Sequence, residues 1–255
     1  MELGEDQQTR IALGRVSVLT RPGATRAGLS IGVVAFFIAG YFGVGTHVDP
    51  ARARDLATAW DDRIPFVAST VWVYLLIFPA SIFPLFVVRC PELFRRTILA
   101  YVLAIAASLL VFVAIPVTST GLRADGHGLD LSRISPWVVA TLYRVDPPFN
   151  LFPSLHLSIA ALAALAAGKA RRAYGAAGFV GCISIAVSIL TVKQHFVLDA
   201  LGGAALAACI YAIVLRPYTP PPATEPAYGW RGPTAYAGLL IAAFAAIYAG
   251  FRLLA

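Results

Sequence analysis

Seven apolar stretches alternate with polar, charged or proline-rich segments along the chain. The first covers 29–45. A charged segment, 49–63, precedes the second at 64–88, where Pro65, Pro79 and Pro84 should kink or delimit a helix because proline lacks the N–H that an interior turn needs. The third covers 98–117. The longest polar loop follows, 118–153, and within it 135–145 reads as a short interfacial helix carrying Trp137 and Tyr143 at headgroup level. The fourth stretch starts at Ser154 and ends before Lys169, the fifth covers 173–191 and the sixth 196–216. A proline-rich linker, 217–234, leads to the seventh at 235–255. Most of these runs approach the roughly 20 apolar residues that span a bilayer. The expectation is therefore an all-α, polytopic transmembrane helical bundle, with six core spans in a catalytic membrane domain (29–216) and a seventh, C-terminal transmembrane helix. Residues 1–28 carry Arg10, Arg15, Arg21 and Arg26 without an apolar run and read as a cytoplasmic N-terminal tail, not a signal peptide.

Composition narrows the class further. The 255 residues are 59% hydrophobic and only 13% charged, where soluble domains carry about a quarter charged residues, and this excludes a soluble globular domain. The net charge of +7 does not point to nucleic acid: Lys is confined to Lys169 and Lys193, and no basic run is interleaved with aromatics. Topology explains the excess. With the N-terminus inside, twelve of the twenty basic residues fall on the cytoplasmic side, the sense of the bias that retains short loops there. His47, His127, His156 and His195 then all fall on the extracytoplasmic side of what should be a plasma or inner membrane. Cys90, Cys182 and Cys209 are too few and too unevenly placed for a disulfide framework or a cysteine metal site. Small residues in 201–208 suit close helix packing.

Ionisable residues at the mouths of apolar helices are costly and mark chemistry. In 148–160, Pro153 stops the loop, Ser154 starts a helix and His156 falls in its first turn, where free N–H groups and the helix dipole favour an anion. In 191–203, His195 and Asp199 are four apart at the start of the sixth span, on one helical face, so the carboxylate can accept the Nδ1 proton and leave Nε2 as nucleophile or base. Asn150 either orients a substrate oxygen or caps the turn before Pro153, the cap being favoured. Arg144 and Asp146 read as a solvated loop pair.

Together the two segments, one helical hairpin apart, resemble the phosphatidic acid phosphatase type 2 superfamily. Its PSxH motif is matched by Pro153, Ser154, Leu155 and His156. Its S-R-x5-H-x3-D motif is matched at Ser188, His195 and Asp199, with Ile189 where the family has Arg. The first family motif, K-x6-R-P, is degraded: Arg123 stands near the right place, but Ala124 replaces the proline and no Lys precedes it at the family spacing. The sequences around Asn150 to His156 and Thr191 to Asp199, and the opening of the second span, are similar to the branch containing inositol phosphorylceramide synthases. The resemblance covers roughly 60–215. It implies a metal-independent, cofactor-free phosphoryl-transfer enzyme, a lipid phosphatase or head-group phosphotransferase, acting on a lipid phosphate or phospholipid through a phosphohistidine. His195 would attack phosphorus, Asp199 would orient it and His156 would protonate the leaving oxygen; Arg123, Lys193 and Ser154 with its neighbouring N–H groups would hold the phosphate. Two other classes compete: a proton-coupled transporter using the His and Asp cluster as a relay, and a metal-dependent membrane hydrolase with the same residues as ligands.

Overall fold

The computed structural model describes residues 22–123, 128–219 and 231–254. They form α1 (Pro22–His47), α2 (Val71–Tyr74), α3 (Ile77–Val87), α4 (Pro91–Ala114), α5 (Ile134–Val145), α6 (Leu155–Ala170), α7 (Arg172–Thr191), α8 (Val197–Ile210, extended by a π-helical turn, Tyr211–Leu215) and α9 (Arg231–Leu254). Six segments are long and apolar enough to cross a membrane: Thr25–His47, Ala68–Val87, Pro91–Ala114, Arg172–Thr191, Val197–Leu215 and Arg231–Leu254. The protein is a polytopic helical bundle. Among the described residues, extended pairing is limited to isolated bridges joining Arg54, Val117 and Asn150. His127, the tail up to residue 21 and the linker core at 220–230 lie outside the described residues.

Helix α6, apolar but shorter than the six candidate spans, is the most enclosed. Its 16 residues rise about 24 Å, and Leu155, Leu162, Ala163 and Ala167 are among its buried side chains. Alanine and glycine let neighbours approach its backbone: a side chain on Gly203 of α8 would strike the Ser154 carbonyl, which fixes how closely α8 abuts the start of α6. That contact matters for the chemistry, because the motif histidines flank it.

Several element boundaries differ from the hydropathy pattern, each for a local reason. Helix α1 begins at Pro22, well before residue 29. Its polar first turns are held because Arg26 donates to the Leu85 and Val88 carbonyls, at 3.1 and 2.5 Å, and lies over the Phe94 ring. Helix α4 starts at Pro91, not 98, with proline in the first turn, where no N–H is needed. Arg95 and Arg96, which fall between the second and third apolar stretches, thus sit inside α4, where Arg96 pairs with Glu92 at 2.7 Å. The second span is broken between α2 and α3. Pro79 has no N–H for the Leu75 carbonyl, which accepts from Phe78 instead, and the helix resets at Leu75 and Leu76. This break leaves Tyr74 as the last residue of α2. The expected interfacial helix is α5, but Trp137 and Tyr143 face protein: Trp137 packs on Phe251 of α9, and Tyr143 donates to the Val192 carbonyl at 2.6 Å. Helix α9, with no buried residue, lies on the outside of the bundle, joined through Tyr236 to Phe83 and Phe86 and through Phe244 to Trp72.

Candidate active site

α2, α6 and α8 begin at the same end of the bundle, where α7 ends, and there the two histidines meet. The backbone is pinned first. The Ser154 N–H donates to the Asp199 carbonyl at 2.9 Å, tying the start of α6 to the first turn of α8. The N–H groups of Gln194 and His195 both donate to the Ile189 carbonyl, at 3.0 and 3.1 Å. Asp61, 5% exposed, accepts from the Val197 N–H at 2.8 Å, so a carboxylate caps α8 at the positive end of its dipole.

His195 lies in the turn before α8, not on the helix as its spacing from Asp199 suggests. Asp199, the third helical residue, reaches back to accept the Phe196 N–H at 2.8 Å, half of a capping box. The same oxygen, Oδ2, lies 3.3 Å from His195 Nδ1. The expected pair thus forms, but through a helix cap rather than a shared helical face. On its other side His195 Nε2 lies 3.0 Å from His156 Nδ1, and His156 Nε2 lies 2.8 Å from the Tyr74 hydroxyl. His195 is 3% exposed, Asp199 and Tyr74 are fully enclosed, and His156 is the accessible member.

The hydrogen-bond inventory gives this row a direction. An ionised carboxylate only accepts, so His195 Nδ1 carries a proton and its Nε2 holds a lone pair. Nε2 accepts from His156 Nδ1–H, His156 Nε2 accepts in turn, and the Tyr74 hydroxyl donates. The lone pair of His195 Nε2 therefore points at His156.

Beside this row stands a cation. Arg123 donates to the Asp146 carbonyl at 2.8 Å and to its carboxylate at 2.7 Å, donates also to Gln194 Oε1, and has Tyr143 under its guanidinium. Arg123 Nε and Gln194 Nε2 are buried donors with no partner, and Asp199 Oδ1 is a buried acceptor with none. Unpaired buried N–H groups are costly, and here two sit on residues flanking the histidines, an arrangement suited to an anion's oxygens.

Not every residue expected at the phosphate site is free to serve there. The Lys193 ammonium donates to the Asp61 and Ile64 carbonyls, at 3.0 and 2.6 Å, and its backbone is left-handed with φ 56°, so it ties down the turn while its neighbour Gln194 meets Arg123. Ser154 caps α6 by accepting the Leu157 N–H, and its own N–H is taken by Asp199. Asn150 does not cap the turn before Pro153: its side chain donates to the Tyr41 carbonyl of α1 at 2.6 Å. Asp146 is no solvated partner of Arg144. It is only partly exposed, binds Arg123 and accepts from the Tyr41 hydroxyl at 2.8 Å. Tyr41, Tyr74 and Gln194 escaped the sequence reading. A tyrosine amid the apolar residues of the second span and an amide beside His195 were the signals present.

A cavity leads away from His156 into the bundle, between α1, α3, α4 and α6. Val33, Phe37, Ile77, Leu85, Tyr101 and Ile159 line it, and Val34 and Phe78, also in its wall, are exposed on the bundle surface, so it opens sideways between α1 and α3. Among the described residues, no group of three or more His, Cys, Asp and Glu side chains is placed to hold a metal ion.

Residues 53–213, well over half the chain, match the family model described as PAP2 superfamily (PAP2_3). The chain belongs to the PAP2 superfamily. This PAP2 domain contains Tyr74, Arg123, Asp146, His156, Gln194, His195 and Asp199, whereas α1 and α9 lie outside it. Membership makes the protein a membrane enzyme of phosphatase type. No curated protein and no solved structure matches the chain.

Proposed function

We propose that this PAP2 protein cleaves a lipid phosphoester through a phosphohistidine, without a metal, transferring the phosphoryl group to water or to an alcohol as the inositol phosphorylceramide synthase-like motifs suggest. The observation that carries the reading is the row Asp199–His195–His156 ending at the head of an apolar cavity that opens toward lipid. The phosphate enters between the rings, in place of the 3.0 Å contact. As the phosphate binds, His156 takes a second proton, at Nε2, from water; His195 Nε2 then attacks phosphorus, the bond to the lipid oxygen breaks, and that oxygen takes the Nδ1 proton of the His156 imidazolium, leaving a neutral ring with its proton on Nε2. The phosphorylated imidazole carries positive charge, which Asp199 balances. His156 then accepts a proton from water or an alcohol, which attacks phosphorus and releases His195. Arg123 and Gln194 hold non-bridging oxygens, and the lipid tail lies in the cavity.

The test is purified protein assayed against a panel of lipid phosphates, with released phosphate and transferred head group both followed. Turnover insensitive to chelator and blocked by vanadate, a mimic of five-coordinate phosphorus, is the expected result. Chelator-dependent activity, or none on any lipid phosphate, overturns the reading.

The orientation proposed here puts the N-terminus in the cytoplasm and the site on the extracytoplasmic face. Glu92 and Ser132 lie toward opposite ends of the bundle and are both exposed. Ser132→Cys should react with a membrane-impermeant thiol reagent on intact cells, and Glu92→Cys only after permeabilisation; the reverse pattern inverts the topology.

A further inference from the structure

We infer that Tyr74 is the positioning residue of the proton-transferring histidine, its hydroxyl matched to both protonation states through which His156 must pass; this rests on the reading of the site given above. Tyr74 is fully buried, ends α2 where Pro79 breaks the second span, and places its hydroxyl 2.8 Å from His156 Nε2, the rings 5.2 Å apart and tilted 43°. Its ring is held in an apolar cluster with Val71, Val139, Leu157, Ile185 and Ile189. Ile189 stands where the family carries arginine, so that position adds a wall to the tyrosine's socket and no cation.

The two histidines have partners of different chemical kinds, and the difference matches their work. His195 is backed by a carboxylate, which only accepts, and so favours a ring with a proton on Nδ1 that can become cationic on phosphorylation. His156 gives up its Nδ1 proton in the first half-reaction and regains one there in the second. A carboxylate at its Nε2 would hold it as the cation, and an amide N–H would hold it neutral. A hydroxyl alone serves both: it donates to Nε2 in the resting neutral ring and turns to accept once Nε2 is protonated. Accepting from Nε2–H, the hydroxyl holds that proton in place while the Nδ1 proton passes to the leaving oxygen, and the neutral ring left behind has its lone pair at Nδ1, facing the acceptor of the second half-reaction. The charged or titratable groups facing His156 are Tyr74 from α2 and His195 from the turn before α8, with Arg123 within electrostatic reach. None of the others approaches Nε2 as Tyr74 does.

The experiment is a double-mutant cycle in full-length protein, with Tyr74→Phe made in the wild type and in His156→Ala, on a lipid phosphate and on an activated aryl phosphate. Removing only the hydroxyl should lower lipid phosphate turnover by roughly 10- to 30-fold in the wild type, less than the roughly 10²- to 10⁴-fold that a general acid itself contributes, because Tyr74 acts through it. The aryl phosphate, whose phenolate leaves without a proton, should lose less than about threefold. In the His156→Ala background the further loss should fall below about threefold on both substrates, because a residue acting through His156 has nothing left to position. An equal loss in both backgrounds, or on both substrates, overturns the inference and makes Tyr74 a packing residue. Wild-type protein inactive on every lipid phosphate would instead sink the proposed function. If Tyr74→Phe does not fold, 3-fluorotyrosine at position 74 keeps the ring and hydroxyl but acidifies the phenol. A rate change confined to substrates that need the proton then supports the inference, and unchanged rates on both overturn it.

Discussion

His195→Ala should abolish both the phosphoenzyme and turnover, with a loss on the order of 10⁴-fold or more, as expected when the nucleophile of an interdependent set is removed. His156→Ala should lose about 10²- to 10⁴-fold on a lipid phosphate, the usual contribution of a general acid and base. The two variants should part company on an activated aryl phosphate. A nitrophenolate departs unprotonated, so His156→Ala should regain much of its first step and accumulate acid-labile phosphoenzyme, since the second step still lacks its base. His195→Ala should form none on either substrate. The asymmetry has a structural origin: Asp199 backs His195 at 3.3 Å and touches His156 nowhere, while His156 is the accessible ring at the head of the apolar cavity. Quenching in alkali, separating the protein and measuring bound label decides the matter. A phosphoenzyme persisting in His195→Ala would show that another group is the nucleophile, and equal loss by both variants on both substrates would remove the division of labour.

What sequence could reveal of this site depended on how far apart the partners lie. The number of apolar helices was legible because hydropathy is local. The closeness of His195 to Asp199 was legible from spacing, although a reach back from the third helical residue to the Phe196 N–H, not a common helical face, creates it. Helix starts at Pro22 and Pro91 were missed because each has a polar first turn, which hydropathy alone assigns to a loop; the prolines were the better signal. The polar shell was not legible. Tyr74 meets His156 across 82 residues and Gln194 meets Arg123 across 71, and nothing in either local sequence specifies the other. Asp146 was misread for the same reason: Arg144 is adjacent in sequence, but α5 turns it outward while the 118–123 turn delivers Arg123. Lys193 shows the converse. A lone cation beside the histidine invites a role in phosphate binding, yet a left-handed residue there lets its ammonium fold onto the 61–64 carbonyls.

These placements sharpen what Arg123 should do. Arg123→Ala should cost about 2 to 4 kcal/mol of transition-state stabilisation, the range for one well-placed donor to a developing anion, or roughly 30- to 900-fold in kcat/KM. The guanidinium fits that role: three of its contacts, to the Asp146 carbonyl and carboxylate and to Gln194, hold it in place, while the buried Nε has none and is free for a phosphate oxygen. Its loss would also strand Asp146, so part of the effect belongs to folding. Asp146→Asn separates the two, since it releases the anchor but leaves the donor, and should cost less than Arg123→Ala. Lysine at position 123 should recover only a fraction of the activity, because it keeps the charge without the planar fork that meets Asp146, Gln194 and an anion together. Lys193→Ala should lose no more than about threefold in turnover, its cost appearing instead as roughly 1 kcal/mol of stability from two lost bonds to carbonyls, since alanine keeps the Cβ and leaves the left-handed backbone strain unchanged. Steady-state kinetics and thermal melts of the four variants in one detergent provide the comparison. Near-wild-type turnover in Arg123→Ala together with an inactive but well-folded Lys193→Ala would return the phosphate clamp to Lys193 and reduce Arg123 to a strut between α5 and the turn that carries His195.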